Sequence, residues 1–360
     1  MDQGLRKATY MEKLLVLLHT EADGSLGRSG LECLALAATL GKFDLAISGA
    51  GASAAAKSAE GSAERVLCVE SDEFAVPRSS TDSAAAEALI RTSGATLVLA
   101  PGSSRWSRAL PMAAARLNGV IDTHAVGLEV AGDEIQVKRW FYRQRIEGAV
   151  ARTRRPWIIV VEPGAFPVGA VLPAQKTVET EVIEVAATPR TTVEGTLSTT
   201  AGEQTIRPDA ELLFVAGAGW TKKQKDGQVH FGDAANCIQG FVHKAKCSLG
   251  SSKSLVDLTS EGEAVLPFLT HMHQVGQTGS TPRHKKGLAT CCHGEEPHVV
   301  GWRFINERRA VNLDPNCGWA RGKADVLYVA DAFEVMKELN ALLDSESQTT
   351  GLAVAESIHA

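Results

Sequence analysis

Short, unbroken apolar runs recur along this chain, each followed by a stretch rich in alanine and leucine, and this alternation constrains the fold more than any other feature. Lys13–Leu18 (K-L-L-V-L-L) reads as a strand buried on both faces, because its L-L-V-L-L core leaves neither face polar. Ser29–Gly41 predicts a helix closed by glycine. Phe43–Ser48, Arg65–Glu70 and Thr96–Ala100 predict further strands, with small-residue helices at Ala84–Thr92 and Arg108–Leu117. Strands joined by helical crossovers lie parallel, with helices on both faces of the sheet.

Glu129–Tyr142 breaks this rhythm as a hairpin with a turn at Gly132-Asp133, and Pro156–Glu162 returns to the core. Residues 163–208 are rich in proline, threonine and glutamate, have no helical period, and read as a linker with an edge strand at Glu179–Val185. A second alternating region opens on a strand at Glu211. It continues through a helix near Ala234–Lys246, strands at 297–300, 309–313 and 325–329, and a helix at Phe333–Leu343. The expected fold class is α/β with two doubly wound parallel-sheet domains: residues 1–162, a linker 163–208, residues 209–345, and a polar tail 346–360.

Composition removes several classes of function. A length of 360 residues suits two domains, and a net charge of −5 carries no nucleic-acid signature. Seven cysteines without a repeated C-x-x-C suit a reducing compartment rather than a disulfide framework. The start M-D-Q-G-L-R-K has no apolar core, so no signal peptide is expected. No apolar run reaches ~18 residues, so no membrane span is expected, and the location expected is cytoplasmic. No metal site is expected: Cys291-Cys292 is an isolated pair, and the histidines of H-M-H at 271–273 point apart. Gly49-Ala-Gly51 after a strand lacks the third glycine of a dinucleotide fingerprint and reads as a tight turn. Arg152-Thr-Arg154-Arg155 reads as a solvated basic loop. The chain has no phosphate-loop motif, and no Ser/His/Asp arrangement stands out, which favours a carrier over a hydrolase.

Three late motifs carry the chemistry. Q-V-G-Q-T-G at 274–279 is a glycine-punctuated loop presenting Gln277 and Thr278 beside exposed backbone. V-N-L-D-P-N at 311–316 is an apolar run tipped by Asn312 and Asp314, and Val326–Val329 is a strand bracketed by Asp325 and Asp331. Polar tips on neighbouring strand ends are what an open α/β sheet uses to hold a nucleotide.

Their order and spacing resemble the C-terminal domain of the electron transfer flavoprotein alpha subunit (the FixB family). K-L-L-V-L-L-H-T-E, T-L-V-L-A-P-G and W-I-I-V-V-E-P-G-A-F-P resemble that family's first domain at the level of pattern. The resemblance implies FAD in the second domain, a beta-type subunit as partner, and a partner dehydrogenase as electron source. It implies flavin contacts from Gln277 and Thr278 in the loop that Gln274, Gly276 and Gly279 complete. C-S-L-G-S-S-K-S-L-V-D at 247–257 is similar to the family's A-V-G-A-S-R-A-x-V-D, with Ser252 kept and Lys253 in place of arginine beside the flavin pyrimidine edge. C-C-H-G-E-E-P-H at 291–298 stands for G-I-S-G-A-I-Q-H, so His293 replaces a serine, and Gly294 and His298 match. Asn312 and Asp331 fall on the adenosine side, and Asp314 is expected among the cofactor-binding residues with them. The family's S-G-G-R-G becomes A-G-A-G-W-T-K-K at 216–223, leaving Trp220, Lys222 and Lys223 as local substitutes for the arginine. The function implied is an alpha-type subunit carrying electrons on FAD, a redox carrier rather than a substrate-transforming enzyme. The alternative is a structural or nucleotide-binding subunit without flavin, within a larger dehydrogenase complex.

Overall fold

The computed structural model of the protein describes residues 12–57, 59, 63–131, 134–142, 144–168, 178–187, 189–195, 206–207, 210–258, 266–276, 281–291, 301–317 and 323–358, with side chains to 345. The chain forms two compact α/β units, Met1–Leu197 and Ser198–Ala360.

The first unit runs β1 (Leu14–His19), α1 (Arg28–Leu40), β2 (Phe43–Ser48), α2 (Ala52–Lys57), β3 (Ala63–Val69), α3 (Asp72–Ala75), α4 (Ser79–Ser93), β4 (Leu97–Pro101) and α5 (Ser104–Arg116). It continues with β5 (Val120–Ala131), β6 (Glu134–Phe141), β7 (Ile146–Val150), β8 (Trp157–Val161) and β9 (Thr180–Val182). The strands form one sheet in the order β7-β6-β5-β8-β4-β1-β2-β3-β9. From β5 to β9 all neighbours are parallel, while β6 and β7 return antiparallel beyond β5.

Strand periodicity explains why the first strand needed to be apolar throughout. Leu14, Val16 and Leu18 pack on one face with α1 and α2, whereas Leu15 and Leu17 pack on the other with α3, α4 and α5. α1 ends as its sequence predicts, with Gly41 at φ 130° and its amide bonded to the Ala37 carbonyl. α4 begins at Ser79, earlier than Ala84, and its polar first turns are buried: Asp82 accepts from Arg105 Nε at 3.0 Å and Ser83 Oγ meets Met112 Sδ at 3.3 Å, both on α5.

The basic run 152–155 is tied into the fold rather than solvated. Asp122, buried in β5, accepts hydrogen bonds from Arg139 Nη1 at 2.6 Å, from Arg152 Nε at 2.8 Å and Nη2 at 2.9 Å, and from Trp157 Nε1 at 3.0 Å. Arg155 pairs with Glu12. Two of the three arginines of that run therefore hold the hairpin and the start of β8 in place.

The second unit runs β10 (Leu212–Ala216), α6 (Phe231–Lys244), β11 (Ser248–Ser251), α7 (Lys253–Asp257), β12 (His284–Thr290), β13 (Ile305–Asn312), β14 (Val326–Val329) and α8 (Ala332–Ile358). Its five strands are all parallel, in the order β11-β10-β12-β13-β14. Phe214 and Ala216 pack with α6 and α8, while Leu213 and Val215 face Val275, Trp302 and Phe304.

Several elements differ from expectation. β12 reads H-K-K-G-L-A-T, too polar to stand out. His284 is nevertheless buried, because its ring nitrogens meet Ser248 Oγ at 3.0 Å, the Arg207 carbonyl at 2.9 Å and the Pro282 carbonyl at 3.0 Å. β11 is three small or polar residues plus one leucine, with no strand pattern. α8 continues to Ile358 instead of ending near Leu343, since no proline interrupts 344–358. The strand expected at 297–300 lies outside the described residues.

Candidate functional site

In an open parallel sheet, ligands sit outside the carboxyl ends of the strands, where neighbouring strands send their connections to opposite faces. In the second unit that point lies between β10, whose chain turns toward β11, and β12 on its other side. The loop leaving β10 turns at once into a 3-10 helix, Ala218–Thr221. Trp220 is buried in it, donates from Nε1 to Thr290 Oγ1 at 2.9 Å, and packs 4.5 Å from the Phe333 ring. The Gly217 amide donates to the Thr290 carbonyl at 2.9 Å and the Gly219 amide to the Cys291 carbonyl at 2.6 Å. A Cβ at Gly219 would lie 2.4 Å from that carbonyl oxygen, so only glycine permits this approach. These backbone amides are bonded within the protein itself. Trp220 is a core residue and does not substitute for a ligand-binding arginine.

Displaced from the crevice, the open space lies one step along the sheet. A cleft of about 440 Å³ is lined by Gly219, Lys222, Lys223, Gln224 and Lys225 from the β10 loop, and by Cys291 after β12. Val311–Asp314 at the end of β13 and Ala330–Ala332 after β14 complete it. Asn312 and Asp331, expected on the adenosine side, are thus brought together with Asp314. Asn312 Oδ1 accepts from the Asp314 amide at 3.1 Å, and Asp314 Oδ1 accepts from the Asn316 amide at 2.8 Å. Asp331 caps α8: its Oδ1 accepts from the Phe333 amide at 2.9 Å and its carbonyl from the Val335 amide at 3.0 Å. The lining holds three lysines against two aspartates, with Val311, Leu313, Ala330 and Ala332 as apolar wall. Carboxylates suit sugar hydroxyls, ammonium groups suit phosphates, and an apolar wall suits a flat ring.

The other expected residues that the structure describes gather beside β11. Ser252 caps α7, its Oγ accepting from the Leu255 amide at 3.2 Å, and its own amide donates to the Ala216 carbonyl at 2.8 Å. Lys253 is half exposed, lies outside the cleft lining, and pairs with Asp257 one turn along. Gln274 bridges to Ser251, and the Gly276 amide donates to Thr281 Oγ1 at 2.8 Å. Gln277, Thr278, Gly279, His293, Gly294 and His298 lie outside the described residues. Among the described residues, no group of three histidine, cysteine or acidic side chains could hold a metal ion. His271 faces Asp257 at 4.0 Å while His273 is buried, its Nδ1 accepting from the Thr270 amide at 3.2 Å.

The glycine turn after β2 is likewise occupied from within. Glu70 Oε2 accepts from the Ser53 amide at 2.9 Å, at the start of the six-residue helix α2. Hydrogen bonds from the Ser53 hydroxyl and amide hold the Glu70 carboxyl below the usual carboxylate range, so a charged side chain fills the turn.

Cys291 forms one wall of the cleft with φ 54°, a left-handed backbone that favours glycine. That strain costs a side-chain-bearing residue about 1–2 kcal/mol. Cys291→Gly is therefore expected to raise the unfolding free energy by up to about 1 kcal/mol, and β-branched Cys291→Val to lower it by about 1–2 kcal/mol. Denaturant titration of both variants checks this, and equal stabilities would show that the backbone there is unstrained.

Lys225, Gln224 and Leu313 escaped the sequence reading. The signal for the first two was the lysine-rich run T-K-K-Q-K-D-G at 221–227, a few residues beyond a strand. Among known proteins, residues 14–189 match the model of the electron transfer flavoprotein domain. No curated protein matches the chain. That match lies within the first unit and supports an electron transfer flavoprotein-like role. No helix of the described residues is long and apolar enough to cross a membrane.

Proposed function

We propose that this chain is an alpha-type electron transfer flavoprotein subunit that holds FAD in its second unit, pairs with a beta-type subunit, and carries electrons from a dehydrogenase in the cytoplasm. The observation that carries this reading is the cleft at the carboxyl ends of β12, β13 and β14, where Asn312, Asp314 and Asp331 converge with a lysine-bearing loop. That donor set fits the adenosine diphosphate half of FAD. Asp331 and Asp314 suit ribose hydroxyls, the lysines suit the diphosphate, and the apolar wall suits the adenine ring. When bound, FAD supplies the redox chemistry; the protein's part is to bind and orient it.

One observation favours the second reading, a nucleotide-binding subunit without flavin. Trp220 and the Gly219–Cys291 hydrogen bond close the crevice between β10 and β12, and Lys253 is engaged by Asp257. Acid extraction of the purified protein decides between them. One FAD per chain is the expected result. AMP or ADP without flavin would move the assignment to the second reading, and no nucleotide of any kind would remove both.

A further inference from the structure

The turn that follows the closed crevice is built to present charge. Gln224 Nε2 donates to the Gly219 carbonyl at 3.1 Å and to the Lys222 carbonyl at 2.6 Å. Its own amide donates to the Gln228 carbonyl at 2.8 Å, and Gly227, at φ 78°, donates back to the Gln224 carbonyl at 2.9 Å. Asp226 locks the far side, accepting from the Gln228 amide at 2.9 Å and lying 2.7 Å from His230 Nε2. Four residues of this turn line the cleft, yet its two outermost cations are left over by this bracing. Among the described residues, neither Lys223 nor Lys225 has an ion-pair partner. Two ammonium groups without an ion-pair partner, on a braced turn that lines the same cleft as Asp314 and Asp331, make a site that carries both signs of charge. One end favours anions and the other favours hydroxyl donors.

We propose that Lys223 and Lys225 hold the diphosphate of an adenine nucleotide in this cleft, in place of the backbone amides at the end of β10. This rests on reading the cleft as a nucleotide site, and it holds whether or not a flavin is attached. The physical reason is substitution of one anion-binding device by another. A phosphate cradle after the first strand of such a sheet normally uses main-chain N–H groups. Here the Gly217 and Gly219 amides are consumed by the Thr290 and Cys291 carbonyls. Side-chain cations on long stems reach the displaced position that fixed amides cannot.

The consequence is a ligand preference graded by phosphate number and weakened by salt, because exposed charges are screened. The test uses the full chain, freed of co-purified nucleotide, titrated calorimetrically with ADP, AMP and adenosine at two ionic strengths. Wild type is expected to bind ADP more tightly than AMP, and AMP more tightly than adenosine. Lys223→Gln with Lys225→Gln is expected to weaken ADP on the order of 10–100-fold, adenosine less than about threefold, and to flatten the salt dependence. Both side chains are exposed, so the variant should melt as wild type does. An unchanged ADP-to-AMP ratio in the variant overturns the inference while leaving the nucleotide reading intact. A wild-type chain that binds none of the three ligands, nor FAD, overturns both.

Discussion

Trp220→Ala is expected to lower the unfolding free energy of the second unit by about 3–5 kcal/mol, the usual cost of deleting a buried tryptophan side chain. Trp220 has no exposed surface, and its ring is wedged between the end of β12 and the first turn of α8. Truncation leaves a void beside Phe333 and strips Thr290 Oγ1 of its indole donor. Trp220→Phe keeps a ring but not the N–H, so it should cost roughly 1–2 kcal/mol. Calorimetric melting of the full chain reads both effects. A Trp220→Ala protein as stable as wild type would mean that the side chain is not the plug of the crevice. It would also restore Trp220 as a candidate ligand contact, a role its burial denies.

Asp122→Ala is expected to cost the first unit about 3–5 kcal/mol, as removal of one partner from a buried charge cluster does. Arg139 lies largely buried beside Asp122, and the Trp157 indole N–H is buried with it, so neither finds a replacement acceptor. Asp122→Asn should cost less, since the amide oxygen can still accept two of the four hydrogen bonds. Burial alone would push the Asp122 carboxyl up, but hydrogen bonds and charge from Arg152 and Arg139 outweigh it and bring the group below the ordinary value. A lowered folded value sets the sign. The stabilisation is fully present above the unfolded carboxylate value of ~3.9 and fades as pH falls below it toward the folded value. Between pH 7 and pH 5 the Asp122→Ala penalty should therefore be constant, and it should shrink only in more acidic solution. A penalty that already shrinks between pH 7 and pH 5 would mean that another group controls the cluster.

Asp122 and Trp220 stand in different relations to the sequence. Asp122 lies just ahead of the predicted hairpin and attracts no notice in the sequence. Its partners lie 17, 30 and 35 positions away, and nothing local relates them. The resemblance makes Trp220 a candidate ligand contact, because it places an arginine loop there. The structure instead turns the loop inward, since Gly219 lets its backbone reach the Cys291 carbonyl and the tryptophan then falls into the core.

By itself the sequence determined the α/β class and the position of most first-unit strands, because runs such as L-L-V-L-L can be satisfied only with both faces covered. It also placed Asn312, Asp314 and Asp331 at strand ends, because polar residues that terminate an apolar run have no core to enter. Local pattern could not decide β11 or β12, whose few apolar residues form strands only because β10 offers them a parallel edge on either side. Nor could it decide where the open space lies. That depended on which amides of the β10 loop bond to neighbouring carbonyls and which cations the loop leaves without a partner. Those relations exist only once the β10 loop lies against Thr290 and Cys291 at the end of the sheet.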